Sequence, residues 1–383
     1  MGRLWSDGYE TGSASERATN SGTVAIVTDV VRSGTYAGQA NPTAGTGFWR
    51  QIVYASDQAT VCYARAYLRI SAYPDVTTDI LIPQNSNPTR LSRIRLTAAG
   101  TLQLANSSGT QVGSSSGVLS LNTWYRVEIK HDATSSSGAL EARLDGTVFA
   151  SGANNVQGQW SRVAWGPADT CTTDLRFDDI AINDGAGTAQ NGYPGAGSIR
   201  HLRPSRRGDT SSWSRSGSGS ANWDSIAEVP PDDSTSYIRS NVAAAVDESA
   251  TGPSGLSVND TITLVAVGAR YAGNTASPFS GFVVRLKAAP GGTVSEGPEI
   301  LPASTSWLTN ANADPKLPPI TAYTLPGTST AWTAAQLNQA QVGVRVSTSD
   351  TNEARVSGLW LLVEYVPGSP VAPPAGTMLA LFD

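Results

Sequence analysis

Two histidines, His131 and His201, are the only imidazoles in this chain of 383 residues. A Ser–His–Asp hydrolase needs a histidine held between a nucleophile and a carboxylate. His131 follows an alternating strand at a polar turn and His201 falls in a loop-rich stretch, so both read as solvated surface residues. No GxSxG elbow, P-loop or HExxH helix occurs. Glycoside hydrolysis needs two carboxylates at close quarters. Glu128 and Glu141 stand on separate strands at surface-type alternating positions, and Asp178 and Asp179 are adjacent, which in a regular strand sends them to opposite faces. The sequence therefore assigns no catalytic, cofactor-binding or metal residue, and the expectation is a chain that is not an enzyme.

Cys62 and Cys171 are far apart in sequence, which excludes the paired close spacings of a zinc finger. They could form one disulfide if their strands are neighbours, or stay reduced as buried thiols. His201-Leu202-Arg203-Pro204-Ser205-Arg206-Arg207 is a small basic cluster that could be solvated or could meet an acidic neighbour. Trp49, Trp160, Trp165 and Trp213 could stack on sugar rings, or could fill a core.

These residues must be placed by strands. Charged residues make up 15 % of the chain and apolar residues 39 %. Gly, Ser, Thr, Ala and Asn fill the difference, which suits short strands and tight turns rather than long helices. Disorder is excluded by 10 Trp, 12 Tyr and 6 Phe set within apolar runs. Cys62–Ile70 alternates strictly, with Tyr63, Arg65, Tyr67 and Arg69 on a solvent face and Cys62, Ala64, Ala66, Leu68 and Ile70 on a core face. Arg93–Leu96, Thr101–Leu104, Tyr125–Lys130 and Leu140–Leu144 repeat the period, and Asp145-Gly146 marks a hairpin. Such spacing predicts an all-β fold of two antiparallel β-sandwich domains of jelly-roll type, joined by a short linker. The divisions are 1–200, 201–367 and a Pro-rich tail at 368–383, with the boundary between 185 and 208. One helical turn is expected at Thr333–Gln339, capped by Thr333 with Gln336 three residues on. The apolar end Thr377–Asp383 reads either as a frayed end or as a docking peptide for a neighbouring subunit.

A net charge of −5 without a broad basic face argues against nucleic acid as a partner. No apolar run reaches membrane-spanning length, so no insertion is expected. The first residues lack the charged-then-apolar pattern of a secretory signal.

Leu119–Ile129, with its Asn-Thr-Trp-Tyr run, the Leu-Asp-Gly of Leu144–Gly146, and Leu175–Ala181, with Phe-Asp-Asp-Ile-Ala, resemble the laminin-G-like, concanavalin A-like jelly-roll superfamily in residues and order. Trp5–Gly12 resembles the opening strand of phage copies of that domain, so the resemblance covers roughly 1–200. It implies that Trp124 buries its ring at the start of a central strand. It also implies a Ca²⁺ site, for which Asp7, Asp178, Asp179 and Asp184 are the candidates, against a reading in which Asp178 accepts backbone N–H groups and Asp179 is solvated. Glycanases of that superfamily carry a Glu-x-Asp-x-(x)-Glu run, which is absent. In the second half, Ala227–Ile238 (Glu-Val-Pro-Pro-Asp-Asp-Ser-Thr-Ser-Tyr-Ile) and Trp332–Val344 resemble a domain common in phage and prophage structural proteins. The implied protein is a virion component of a tailed bacteriophage, in the minor tail or baseplate, and capsid decoration is the nearest alternative. Its partners would be other virion proteins, further copies of itself and a host surface glycan. A free lectin module and a glycan depolymerase are the rivals from other classes.

Overall fold

Alternation of apolar and polar residues over some two dozen short strands leaves one face of each strand to bury, and four antiparallel sheets do so in two stacked pairs. The computed structural model describes residues 2–368, apart from 136, 154–157, 218, 276 and 312–314. The tail beyond 368, including Thr377–Asp383, lies outside the described residues.

The first sheet runs, in spatial order, through Thr147–Gly152, Ala139–Leu144, Trp124–Asp132, Val61–Ala72, Asp174–Asp184, Ala37–Ala40 and Val24–Val27, with Arg3–Asp7 also paired to Asp174–Asp184. The second runs through Gln111–Val112, Leu102–Asn106, Ser92–Leu96, Thr78–Gln84, Arg162–Trp165, Gly47–Ile52 and Thr19–Gly22. Their facing sides share one core, in which Trp49, Trp160 and Trp165 are fully buried with Leu68, Ile70 and Phe177. The third sheet is built on the long pair Thr261–Gly273 and Ala354–Val366, flanked by Ser236–Ser240 and Ser214–Gly217, with Ser198–Leu202 also on Ala354–Val366. The fourth comprises Pro204–Ser211, Val246–Thr251, Gln341–Thr348, Gly281–Lys287 and Val294–Glu296. Trp213, Phe282 and Val344 belong to the core between these two. The tryptophans named as possible sugar platforms are therefore core residues.

The hairpin at Asp145-Gly146 forms as expected: both residues have positive φ, 51° and 89°, between the strands Ala139–Leu144 and Thr147–Gly152. The helical turn is Ala334–Leu337, and Thr333 and Gln336 form a reciprocal capping box. Cys62 and Cys171 are free, buried thiols. Trp124 is only half-buried, a departure from the expected buried ring.

The main departure concerns the Tyr63/Arg65/Tyr67/Arg69 face. Its middle is not solvent-facing, while Tyr63 and Arg69 at either side are half-buried. Arg65 is fully buried and Tyr67 nearly so, because the loop after Asp184 and the outer side of the third sheet lie over them. Period-2 alternation reports two chemically different faces, and here the polar one is buried against another polar face.

Candidate functional site

The strand Asp174–Asp184 carries Asp178, Asp179 and Asp184, three of the carboxylates that sequence reasoning singled out. Between Asp178 and Ala181 its register with Val61–Ala72 shifts, and Asp179 takes a positive φ of 48°. This bulge undoes the expected alternation. Both carboxylates meet the same segment: Asp178 Oδ2 accepts the N–H of Arg32 at 2.9 Å and of Ser33 at 3.3 Å, while Asp179 pairs with the Arg32 guanidinium and accepts from Ser33 Oγ and the Ile199 N–H. Asp179 is thus buried, not solvated. Desolvation and the adjacent Asp179 push Asp178 well above the carboxylate range.

Asp7 pairs with Arg17 and accepts the Tyr9 N–H, and Asp184 accepts from Tyr54 Oη at 2.6 Å and from the Ala186 N–H. Every one of these four carboxylates is engaged by N–H, hydroxyl or guanidinium donors. That donor set does not fit Ca²⁺, which needs oxygen ligands turned toward one point. Among the described residues no group of three or more His, Cys, Asp or Glu side chains is placed to hold a metal.

Neither histidine is solvated, in contrast to expectation: His131 is buried and His201 is half-buried. His131 Nε2 lies 3.0 Å from the Gly158 carbonyl on the core side of its strand. His201 is on the strand Ser198–Leu202, stacked on Trp360 with ring centroids 5.8 Å apart, and burial holds it well below its ordinary pKa. Glu128, expected at the surface, is 1 % exposed and accepts the Gly195 N–H; Glu141 is half-buried against Arg143.

The buried polar groups converge on the seam between the first and third sheets. Glu364, from Ala354–Val366, pairs with Arg3 and lies 3.0 Å from Arg65. Arg65 also donates to the Asp179 and Gly195 carbonyls, and the Arg32 guanidinium sits 3.3 Å over the Tyr67 ring. Beside this network Ile199, Leu264, Ala266, Trp360 and Leu362 form a small apolar cluster. A seam of charges this dry serves to register two units rather than to bind a mobile ligand.

The accessible charge lies elsewhere, on the outer face of the second sheet. The register sets Arg162 opposite both Ile52 and Gln84, while Arg50, two residues before Ile52, lies on the same side. Arg50 Nε donates to Gln84 Oε1 at 2.8 Å. The Gln84 backbone also forms an isolated antiparallel bridge with that of Arg90, whose guanidinium meets Asp79 and Asp169. Arg93 and Arg95 complete the cluster around Asp79, at 3.0 and 2.9 Å. An open groove of about 400 Å³ is lined by Thr77, Asp79, Arg90, Arg93, Arg95 and Asp169. Arg93 and Arg95 were legible as the outward residues of an alternating strand. Arg50, Arg90 and Arg162 were not, because only non-local strand pairing brings them together.

No family model matches the chain, and no curated protein does. Solved structures match in part. A sialidase matches at 11 % identity over 42 % of this chain and 16 % of its own, with a TM-score of 0.31. Trypanosoma rangeli sialidase in complex with the inhibitor DANA matches at 13 % over 42 % and 27 %, with a TM-score of 0.32. An alginate lyase, AlyC3, matches at 11 % over 38 % and 74 %, with a TM-score of 0.30. The chain thus spans well under a third of the sialidases it matches. The expectation that the chain is not an enzyme is corrected here, since the matched proteins are titled as a sialidase and a lyase. At these scores the likeness carries no statement about the fold or activity of this chain, and the expectation is withdrawn without another activity being put in its place.

Proposed function

We propose that the chain is a structural component of a tailed-bacteriophage virion, in the minor tail or baseplate, where it packs against other virion proteins and further copies of itself and meets host surface glycan. The phage-type phrases Trp5–Gly12 and Ala227–Ile238 suggest the setting. The observation that carries the reading is the desolvated seam of Arg3, Arg65, Asp179 and Glu364. It fixes one pair of sheets against the other, as a rigid virion part requires, and leaves the outermost sheet faces open to neighbours. The structural role of the second phrase is consistent with this: Asp233 makes a two-point contact with Arg270, and Asp232 accepts from the Ser236 N–H.

Mass spectrometry of purified particles, separated into heads and tails, tests the reading. Copies travelling with tails are expected. Copies travelling with heads would make it a decoration protein, and absence from both would overturn the proposal.

A further inference from the structure

We infer that the outer face of the second sheet is a binding surface for a carboxylated polysaccharide, with Arg50 and Arg162 as its anion-seeking pair. The inference deepens the glycan part of the reading above and rests on it for the setting.

Five guanidinium groups, from Arg50, Arg90, Arg93, Arg95 and Arg162, share this face with the two carboxylates of Asp79 and Asp169. That excess of positive charge stands on a chain whose net charge is −5, so it is local and concentrated. The two halves of the face differ. Arg90, Arg93 and Arg95 are neutralised in part by Asp79, which is itself buried. Arg50 and Arg162 have no carboxylate partner among the described residues: Arg50 hydrogen-bonds to the Gln84 amide oxygen, and Arg162 Nε is buried without a hydrogen bond. Burial and the neighbouring Arg162 both press Arg50 below its ordinary value. Two half-buried cations side by side are costly to keep unpaired, and a shared anion relieves both the desolvation and the repulsion.

The chemistry of the surroundings selects the class of anion. A guanidinium fork matches a carboxylate in two-point geometry. The half-buried Phe48 ring, 5.4 Å from the Arg50 guanidinium, offers a flat apolar surface for the C–H side of a sugar. The half-buried Asp169 carboxylate in the groove lining can accept from sugar hydroxyl groups.

The test uses the full chain and measures binding to polygalacturonate at low ionic strength by affinity electrophoresis. Carboxyl-reduced polygalacturonate, heparin and a duplex DNA fragment run alongside. Arg50→Gln and Arg162→Gln are introduced singly and together; neither breaks an ion pair, and thermal unfolding checks that the fold is kept. Arg207→Gln, on an exposed part of the fourth sheet, removes the same charge elsewhere. We expect wild type to bind the carboxylated polymer and not the reduced one, with about tenfold weakening for each guanidinium removed and none for Arg207→Gln. Equal binding of the reduced polymer, tighter binding of heparin or DNA, no binding by wild type, or equal loss in Arg207→Gln would each overturn the assignment. Particle location and polymer binding are separate readouts, so failure of one is distinguishable from failure of the other.

Discussion

Arg65 and Glu364, 299 positions apart in the chain (364 − 65), meet at 3.0 Å with both side chains out of contact with water. The same carboxylate also pairs with Arg3. One acidic group thus answers two cations from the first sheet, and its removal leaves both buried without it. Replacing Glu364 by Gln is expected to cost about 3–5 kcal/mol, the range for breaking a buried pair from one side. Urea unfolding of the variant reads this directly. A loss below about 1 kcal/mol, the scale of an exposed pair, would show that the seam is wet.

Gly268 faces Trp360 across the third sheet. A Cβ built on Gly268 would lie 2.3–2.5 Å from the Trp360 ring. Gly268→Ala should therefore force the indole away from His201 and destabilise the protein by about 1–3 kcal/mol, the usual cost of overpacking. The tryptophan emission of Trp360 should shift with it. Unchanged stability and emission would contradict the packing described.

Glu10 predicts a pH dependence. Its carboxylate accepts the N–H groups of Thr35 and Tyr36, but burial raises it to about 7. Because its folded value lies above the unfolded one, its protonated form favours the native state; that contribution is whole below about pH 4 and is lost as pH rises through 7. Glu16 is raised to about 8, also by burial, and acts in the same direction. Stability should fall from pH 5 to 8, with Glu10 contributing on the order of 3 kcal/mol. Glu10→Gln should flatten that slope, as read from thermal unfolding at each pH; an unaltered slope would count against the assignment.

Cys62 and Cys171 are reduced in this fold. Burial pushes the Cys62 thiol well above its ordinary pKa, so both should resist maleimide in the native state and both should react once the chain is unfolded. A mass two hydrogens lower before reduction would reveal a disulfide instead.

The sequence by itself determined the all-β class, the Asp145-Gly146 hairpin and the Thr333 capping box. Each depends on residues close in the chain, where turn chemistry and period-2 alternation act locally. The core faces of Val61–Ala72 and Ser92–Leu96 were legible for the same reason. Only the tertiary structure decided what covers the polar faces. Arg65, Glu128 and His201 read as surface residues because alternation separates two faces without saying whether the second one meets water or another sheet. Asp178 and Asp179 were misplaced because a bulge inserts a residue that no local pattern announces. Arg50, Arg90 and Arg162 lie on different segments, and their assembly into one face follows from strand order, a property of long-range pairing rather than of any stretch of sequence.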